Sequence, residues 1–166
     1  MKEIIKKLLR ENLKSNVVYH GTPNKHDFDD RGEIYNGTFF SPNENEAKSY
    51  GKYIYKIELK PNLNLFNSTE LYHTKILFSV FNELYDDYYN EDELEYYIKT
   101  PEQLMYSSDN WNPIEKTDGV LEWLEDKYDG VMITEGGVLN ILLFNPIKEK
   151  IKTINYLGRP MESRYS

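Results

Sequence analysis

The chain contains no cysteine and only three histidines among its 166 residues. The lack of cysteine excludes disulfides, thiolate zinc sites, iron–sulfur clusters and a cysteine nucleophile. The histidines are His20, His26 and His73, and a multi-histidine metal site would need nearly all of them. We therefore expect a protein that holds no metal.

The sequence also lacks a long apolar run. No segment approaches the roughly 18 consecutive apolar residues that a membrane span requires. Residues 1–14 carry charges through their apolar stretch, and no small-residue cleavage site follows them, which argues against a secretory signal. The expectation is a cytoplasmic protein with no membrane partner.

Aromatic residues, by contrast, are abundant, at 14% of the chain with 15 tyrosines. A disordered chain would be poor in them, so a folded protein is indicated. The length suits one domain spanning residues 1–166.

Charge is unevenly distributed within a net charge of −8. Residues 1–14 have a balance of +3 and the remainder a balance of −11. An acidic body argues against nucleic-acid binding, which depends on clustered cations. The basic segment is predicted to form an amphipathic N-terminal helix within 1–15 that packs on the domain through its apolar residues. The alternative is that this helix contacts RNA or an acidic partner.

Apolar patterning predicts strands near both ends of the chain. The first three lie at 16–20, 37–40 and 53–59, a short one at 63–65, and the last three at 131–134, 138–144 and 151–157. Ser41 and Pro42 are typical of a helix start and predict a helix that runs to Tyr50. Gly136-Gly137 predicts a turn.

The middle of the chain, about 70–128, is predicted to be a helical insertion, with helices at 71–85, 91–99, 101–106 and 120–127. It is rich in acidic residues, and a solvated acidic face is the simplest interpretation. Because strands cluster at the ends instead of alternating with helices, the predicted class is α+β.

Common catalytic and nucleotide-binding motifs are missing, but short motifs stand at the predicted strand ends. These are Tyr19-His20-Gly21-Thr22, Gly37 to Ser41 with Ala47 to Gly51, Tyr128 to Val131, and Leu142 to Pro146. In this order they resemble the ADP-ribosyltransferase superfamily, in particular small bacterial and phage-associated members of its His–Tyr–Glu branch, which includes diphtheria toxin and the poly(ADP-ribose) polymerases. The helical block at 70–128 is not covered by the resemblance.

The resemblance implies a split β-sandwich around an NAD+ cleft and a role for each motif residue. The Gly21 backbone would bind the nicotinamide carboxamide, Tyr50 and Phe39 would line the two faces of the ring, and His20 would bond a ribose hydroxyl. Ser41 and Thr22 would line the pocket. From charge alone, Lys25 or Arg31 could meet the diphosphate, whereas His26 and His73 match nothing in the pattern.

One position departs from the family. Its catalytic glutamate stands four residues before the phenylalanine of the last motif, which here is Asn140. Asparagine can bond a hydroxyl but is not a base. Another acid could act instead, with Glu135 nearest in sequence; the chain could be a weakened or inactive relative; or the register of the match could be wrong.

The expected function is therefore transfer of one ADP-ribose from NAD+ to a macromolecular target, expected to be a protein, with release of nicotinamide. A toxin, effector or phage-borne role in a bacterial host cytosol is implied by the resemblance alone. The alternatives are an NAD-binding relative or NAD glycohydrolase with weak transferase activity, and a non-enzymatic interaction protein. An RNA 2′-phosphotransferase would be expected to carry a more basic cleft.

Overall fold

The computed structural model describes residues 16–25, 28, 37–88 and 100–158, with residues 85–88 given as backbone only. The predicted N-terminal helix within 1–15, the predicted helix at 91–99, His26 and Arg31 lie outside the described residues. Contacts divide the chain into two compact units. We call Asn64–Asn140 the helical unit; the sheet unit combines the described residues from Asn16 to Leu63 with those from Ile141 onwards.

Seven strands and five helices are formed by the described residues. In chain order they are β1 Val17–Thr22, β2 Gly37–Phe40, α1 Glu44–Lys48, β3 Tyr53–Leu59, β4 Leu65–Asn67, α2 Leu71–Tyr88, α3 Pro101–Tyr106, α4 Trp111–Lys116, α5 Val120–Lys127, β5 Gly130–Glu135, β6 Val138–Phe144 and β7 Ile151–Gly158. A single 3-10 turn at Lys148–Lys150 precedes β7. The predicted α+β class is confirmed.

The sheet unit is built on an antiparallel sheet in the order β1-β3-β7. In the register of this sheet, His20 lies opposite Tyr55 and Tyr55 lies opposite Tyr156. Strand β2 pairs with the second part of β6, with Phe40 opposite Ile141. Side chains alternate along a strand. The core of this unit is formed by Phe28 and by buried apolar side chains of β1, β2 and β3, which are Val18, Phe40, Ile54, Tyr55, Ile57 and Leu59.

In the helical unit, β4 pairs in parallel with β5, with Phe66 opposite Val131. Strands β5 and β6 form a hairpin whose turn residues, Gly136 and Gly137, have φ angles of 58° and 80°. Positive φ at both central positions is the requirement of the tight hairpin turn that suits twisted strands. The helices bury apolar residues against these strands and against one another, among them Leu77, Leu104, Ile114 and Leu124.

Most of the predicted elements among the described residues are present, with shifted ends. Helix α1 is shorter than predicted, because Asn43 is its N-cap, its Oδ1 accepting from the Asn45 N–H at 2.8 Å. Ser41 is not the cap, since its backbone continues the strand by bonding to Tyr19. Helix α2 extends three residues beyond the prediction and α4 was not predicted. Within the described residues, no helix is both long and apolar enough to cross a membrane.

Candidate functional site

Among the described residues, no strand pairs with the end of β1 beyond Tyr19 on one of its edges, which we call the open edge. Along β1, the backbone groups of the even-numbered residues form hydrogen bonds with β3. At the start of this pattern, the Leu59 N–H donates to the Asn16 carbonyl at 2.8 Å. Tyr19 instead exchanges two bonds with Ser41, at 2.7 and 2.8 Å, in an isolated bridge on the other edge. Because bonding direction alternates along an antiparallel strand, the Gly21 N–H and carbonyl point toward that second edge, two residues beyond the bridge.

Two glycines bring the end of α1 against the end of β1. A Cβ atom on Gly21 would lie 1.7 Å from the Ala47 carbonyl oxygen, and one on Gly51 would lie 2.1 Å from the Thr22 carbonyl carbon. Neither distance is tolerable, so both positions require glycine for packing. The close approach keeps the backbone of Tyr50, which donates to the same Ala47 carbonyl at 3.1 Å, beside Gly21. The Tyr50 side chain is 53% exposed.

His20 is held in one orientation by a backbone bond and by aromatic contacts. Its Nδ1 lies 2.7 Å from the Phe39 carbonyl oxygen. A carbonyl oxygen only accepts, so Nδ1 carries a proton and, in the neutral ring, Nε2 is an acceptor. The ring lies 5.4 Å from Phe28 and 5.5 Å from Phe40, centroid to centroid. These contacts fix the direction in which Nε2 can accept a hydrogen bond.

The other predicted pocket residues of the sheet unit lie near this point. Phe39 is half-buried, on the face of β2 opposite Phe40, and supplies the carbonyl that His20 bonds. Ser41 is buried, with its hydroxyl accepting from the Asn43 N–H at 3.1 Å. The Thr22 hydroxyl accepts from the Asn24 N–H at 3.4 Å. Both hydroxyls therefore take part in local turns at the strand ends.

Lys25 is exposed in the segment that follows β1. Its predicted contact with a diphosphate stays a prediction.

The two candidate catalytic residues from the end of the chain belong to the helical unit. Asn140 is buried on β6 and has an interaction within the protein. Glu135 is exposed at the end of β5. Partial burial and the nearby carboxylates of Asp109 and Glu115 raise the pKa of Glu135. The roles of Asn140 and Glu135 in catalysis stay predictions.

The structure gives His73 a defined place that the sequence did not indicate. Its Nδ1 accepts the Asn67 N–H at 2.7 Å, and its ring stacks on Phe66 with centroids 4.9 Å apart. Tyr72, Trp123 and Tyr128 lie around it in a surface cluster of rings. The sequence signal for this cluster was weak, since Tyr72 is about fifty positions from the other two and tyrosine is common throughout the chain.

Comparison with known proteins gives a match to one solved structure. No known protein family matches the chain, and no curated protein matches it. Among solved structures, one described as the crystal structure of an anti-CRISPR protein is similar, with a TM-score of 0.50 and 16% sequence identity. The match covers 86% of this chain and 96% of that one. At this identity, the similarity concerns the fold alone.

Proposed function

We propose that the protein transfers one ADP-ribose unit from NAD+ to a macromolecular acceptor, a protein in the simplest case, and releases nicotinamide. In this proposal the fold is the split β-sandwich of the ADP-ribosyltransferases. A phage-borne role directed at a bacterial host is part of the proposal, and the anti-CRISPR description of the structural neighbour agrees with it.

The open backbone edge at Gly21 is the observation that carries the proposal. A carboxamide presents one donor and one acceptor side by side, and so does a strand residue whose N–H and carbonyl both point to an open edge. Gly21 has this arrangement at the strand end, and Tyr50 follows the helix that packs directly on it. Stacking of the Tyr50 ring on nicotinamide would add to the two backbone bonds.

The tautomer of His20 supports the same assignment. With Nδ1 donating to the Phe39 carbonyl, Nε2 of the neutral ring has the lone pair that can accept from a hydroxyl. A ribose supplies such hydroxyls. His20 thus orients the sugar, and its own orientation is fixed by Phe28 and Phe40.

The reaction breaks the bond between ribose C1′ and the nicotinamide nitrogen. The bonding electron pair leaves with nicotinamide, the sugar develops oxocarbenium character, and an acceptor nucleophile forms the new bond at C1′ and loses its proton. A carboxylate near C1′ normally stabilises the positive charge. Asn140 would bond a ribose hydroxyl without supplying that charge, so slow transfer is expected unless an acid such as Glu135 takes the role.

Asn140 also favours a second candidate, an NAD-binding relative that has little transferase activity. It would bind NAD+ through the same residues of the sheet unit and release nicotinamide slowly or not at all. The Asn140→Glu variant tests whether Asn140 stands where a catalytic carboxylate would act. Faster turnover of NAD+ in that variant supports the transferase site and the register of the match. If turnover does not increase, either Glu135 is the catalytic acid or the site is inactive.

The test of the proposed site is NAD+ binding to the full chain, measured by isothermal titration. Tyr50→Ala should weaken binding by about 1–3 kcal/mol, the usual contribution of base–aromatic stacking. Tyr50 is exposed, so the fold should tolerate the change. Tyr106→Ala, a partly exposed tyrosine of the other unit, is the matched control and should bind NAD+ like the parent protein.

Transfer itself is tested by incubating the protein with labelled NAD+ in host lysate and searching for added ADP-ribose by mass spectrometry. A labelled acceptor, absent with Tyr50→Ala, supports the transferase. NAD+ binding without any labelled acceptor or released nicotinamide supports the second candidate. No NAD+ binding by the folded parent protein overturns both.

A further inference from the structure

Four aromatic rings form a continuous surface on the helical unit, which we call the aromatic patch: Tyr72, His73, Trp123 and Tyr128. Tyr72 and His73 stand in the first turn of α2, Trp123 is on α5, and Tyr128 follows α5. Tyr72 is 72% exposed, the largest exposure among the large apolar side chains of the described residues. The other three rings are half-buried.

The rings of the patch are inclined to one another instead of being stacked. Successive centroids lie 5.6, 6.1 and 6.2 Å apart from Tyr72 through His73 and Tyr128 to Trp123, with interplanar angles of 51°, 67° and 52°. Burial and the neighbouring Tyr72 phenol both raise the pKa of Tyr128, in agreement with two hydroxyls lying close together. Aromatic faces that remain accessible at a surface can receive a cation.

The patch is rigidly supported from below. Phe66 is fully buried and contacts both His73, at 4.9 Å, and Tyr128, at 5.2 Å. The His73 ring is further fixed by the Asn67 N–H, which donates to its Nδ1. Because these rings are already ordered, a ligand would bind without the entropy loss of ordering them.

A cation of the chain itself already occupies one face of the patch. The Lys127 ammonium nitrogen lies 5.5 Å from the centre of the Trp123 ring. Beside the patch in sequence, α5 exposes Glu122 and Asp126, and Glu70 is exposed just before α2; Lys75 is the exposed cation on α2. The whole chain has a net charge of −8. The surroundings thus attract cations and repel phosphates, which disfavours a nucleic acid as the occupant.

We propose that the aromatic patch docks a basic segment of a partner protein by receiving arginine side chains over its rings. Arginine fits better than lysine because its planar guanidinium stacks on aromatic faces and can also bond the nearby carboxylates. The assignment uses residues of the helical unit alone and does not depend on the proposed reaction with NAD+.

The test uses the folded full chain and a short fluorescent peptide in which arginine alternates with glycine and serine. The same peptide with citrulline in place of arginine keeps the shape and loses the charge; a fluorescent oligouridylate tests the nucleic-acid alternative. Binding is followed by fluorescence anisotropy at low salt. We expect the arginine peptide to bind and the two other probes to bind much more weakly.

Variants locate the binding. Tyr72→Ala should weaken binding of the arginine peptide about two- to fivefold, the range for one cation–π contact at an exposed site. Tyr156→Ala, an exposed tyrosine of the sheet unit, is the matched control and should have no effect. Lys127→Ala should strengthen binding by vacating the Trp123 face, and by more than Lys116→Ala, which removes the same charge outside the patch.

Three results would overturn the proposal. One is equal loss of binding with Tyr72→Ala and Tyr156→Ala, which indicates general attraction to an acidic protein. Another is tighter binding of oligouridylate that Tyr72→Ala abolishes, which makes the patch a nucleobase surface. The third is no binding of any probe by the folded parent protein, which leaves the patch a purely structural cluster.

Discussion

His20 and His73 occupy similar surroundings in the two units of the molecule. Each ring packs against phenylalanine, and the Nδ1 of each lies 2.7 Å from a backbone oxygen or nitrogen with which it forms a hydrogen bond. The backbone groups differ: His20 meets a carbonyl and His73 meets an N–H. Nδ1 therefore carries the proton in His20 and lacks it in His73, and the two rings have opposite tautomers.

This difference decides what the second nitrogen of each ring can do. In neutral His20, Nε2 accepts a hydrogen bond, as a ribose hydroxyl requires. In neutral His73, Nε2 carries the proton and has the character of a donor. The same residue type is thus suited to a ligand in one unit and to support in the other.

The largest expected effect concerns the glycine beside His20. Gly21→Ala should destabilise the protein by more than about 3 kcal/mol, because the new methyl group would overlap the Ala47 carbonyl. In the helical unit, Gly136→Ala would place its methyl group in open space. It should lower the free energy of unfolding by only about 1–2 kcal/mol, because an alanine is strained at this positive φ. Urea unfolding measures both. Equal losses would show that the end of β1 is no more tightly packed than the hairpin turn.

The histidines themselves provide the next comparison. His73→Phe keeps the ring but leaves the Asn67 N–H without its acceptor, and should cost about 1–3 kcal/mol in stability with NAD+ binding unchanged. His20→Phe should cost a similar amount and abolish NAD+ binding.

Long-range nitrogen NMR checks the tautomers directly, with protonated Nδ1 expected in His20 and protonated Nε2 in His73. The same tautomer in both rings would remove the distinction between the two regions.

The smallest effect concerns Glu135 in the helical unit. Its pKa is raised in the folded protein, so its ionisation favours the unfolded state and reduces stability at neutral pH. Glu135→Gln should therefore raise the melting temperature slightly at pH 7. As the pH falls through the raised pKa and then below the ordinary carboxyl value, the difference should disappear. A melting temperature lowered at pH 7 would contradict this assignment.

Local sequence signals predicted much of the fold because they act over a few residues. The Gly136-Gly137 turn and the alternating strand at 53–59 needed only their own neighbours to be identified. Helix α4 was missed since it is one short turn-rich segment containing Pro113. The sequence predicted Ser41 as the N-cap of α1, whereas the cap is Asn43. The backbone of Ser41 is hydrogen-bonded to Tyr19 instead, and local patterns do not reveal a contact between residues 22 positions apart.

The buried polar pair of the helical unit was equally invisible to the sequence. Thr134 donates its N–H to the Asn110 Oδ1 at 2.7 Å, and Asn110 returns a bond from its own N–H to the Thr134 hydroxyl at 3.1 Å. These residues are 24 positions apart and both are buried. Bonds of this kind are required of buried polar groups, but the partner is selected only when the chain has folded.

The sequence alone determined that the chain is an α+β protein and that His20, Gly21 and Tyr50 stand at the ends of regular elements, because periodicity and turn residues are local properties. Only the tertiary structure decided that Gly21 faces a helix end, that its backbone points to an open edge, and which nitrogen of each histidine carries the proton. Those features depend on which backbone atoms distant segments bring within hydrogen-bonding distance, and that is fixed by packing.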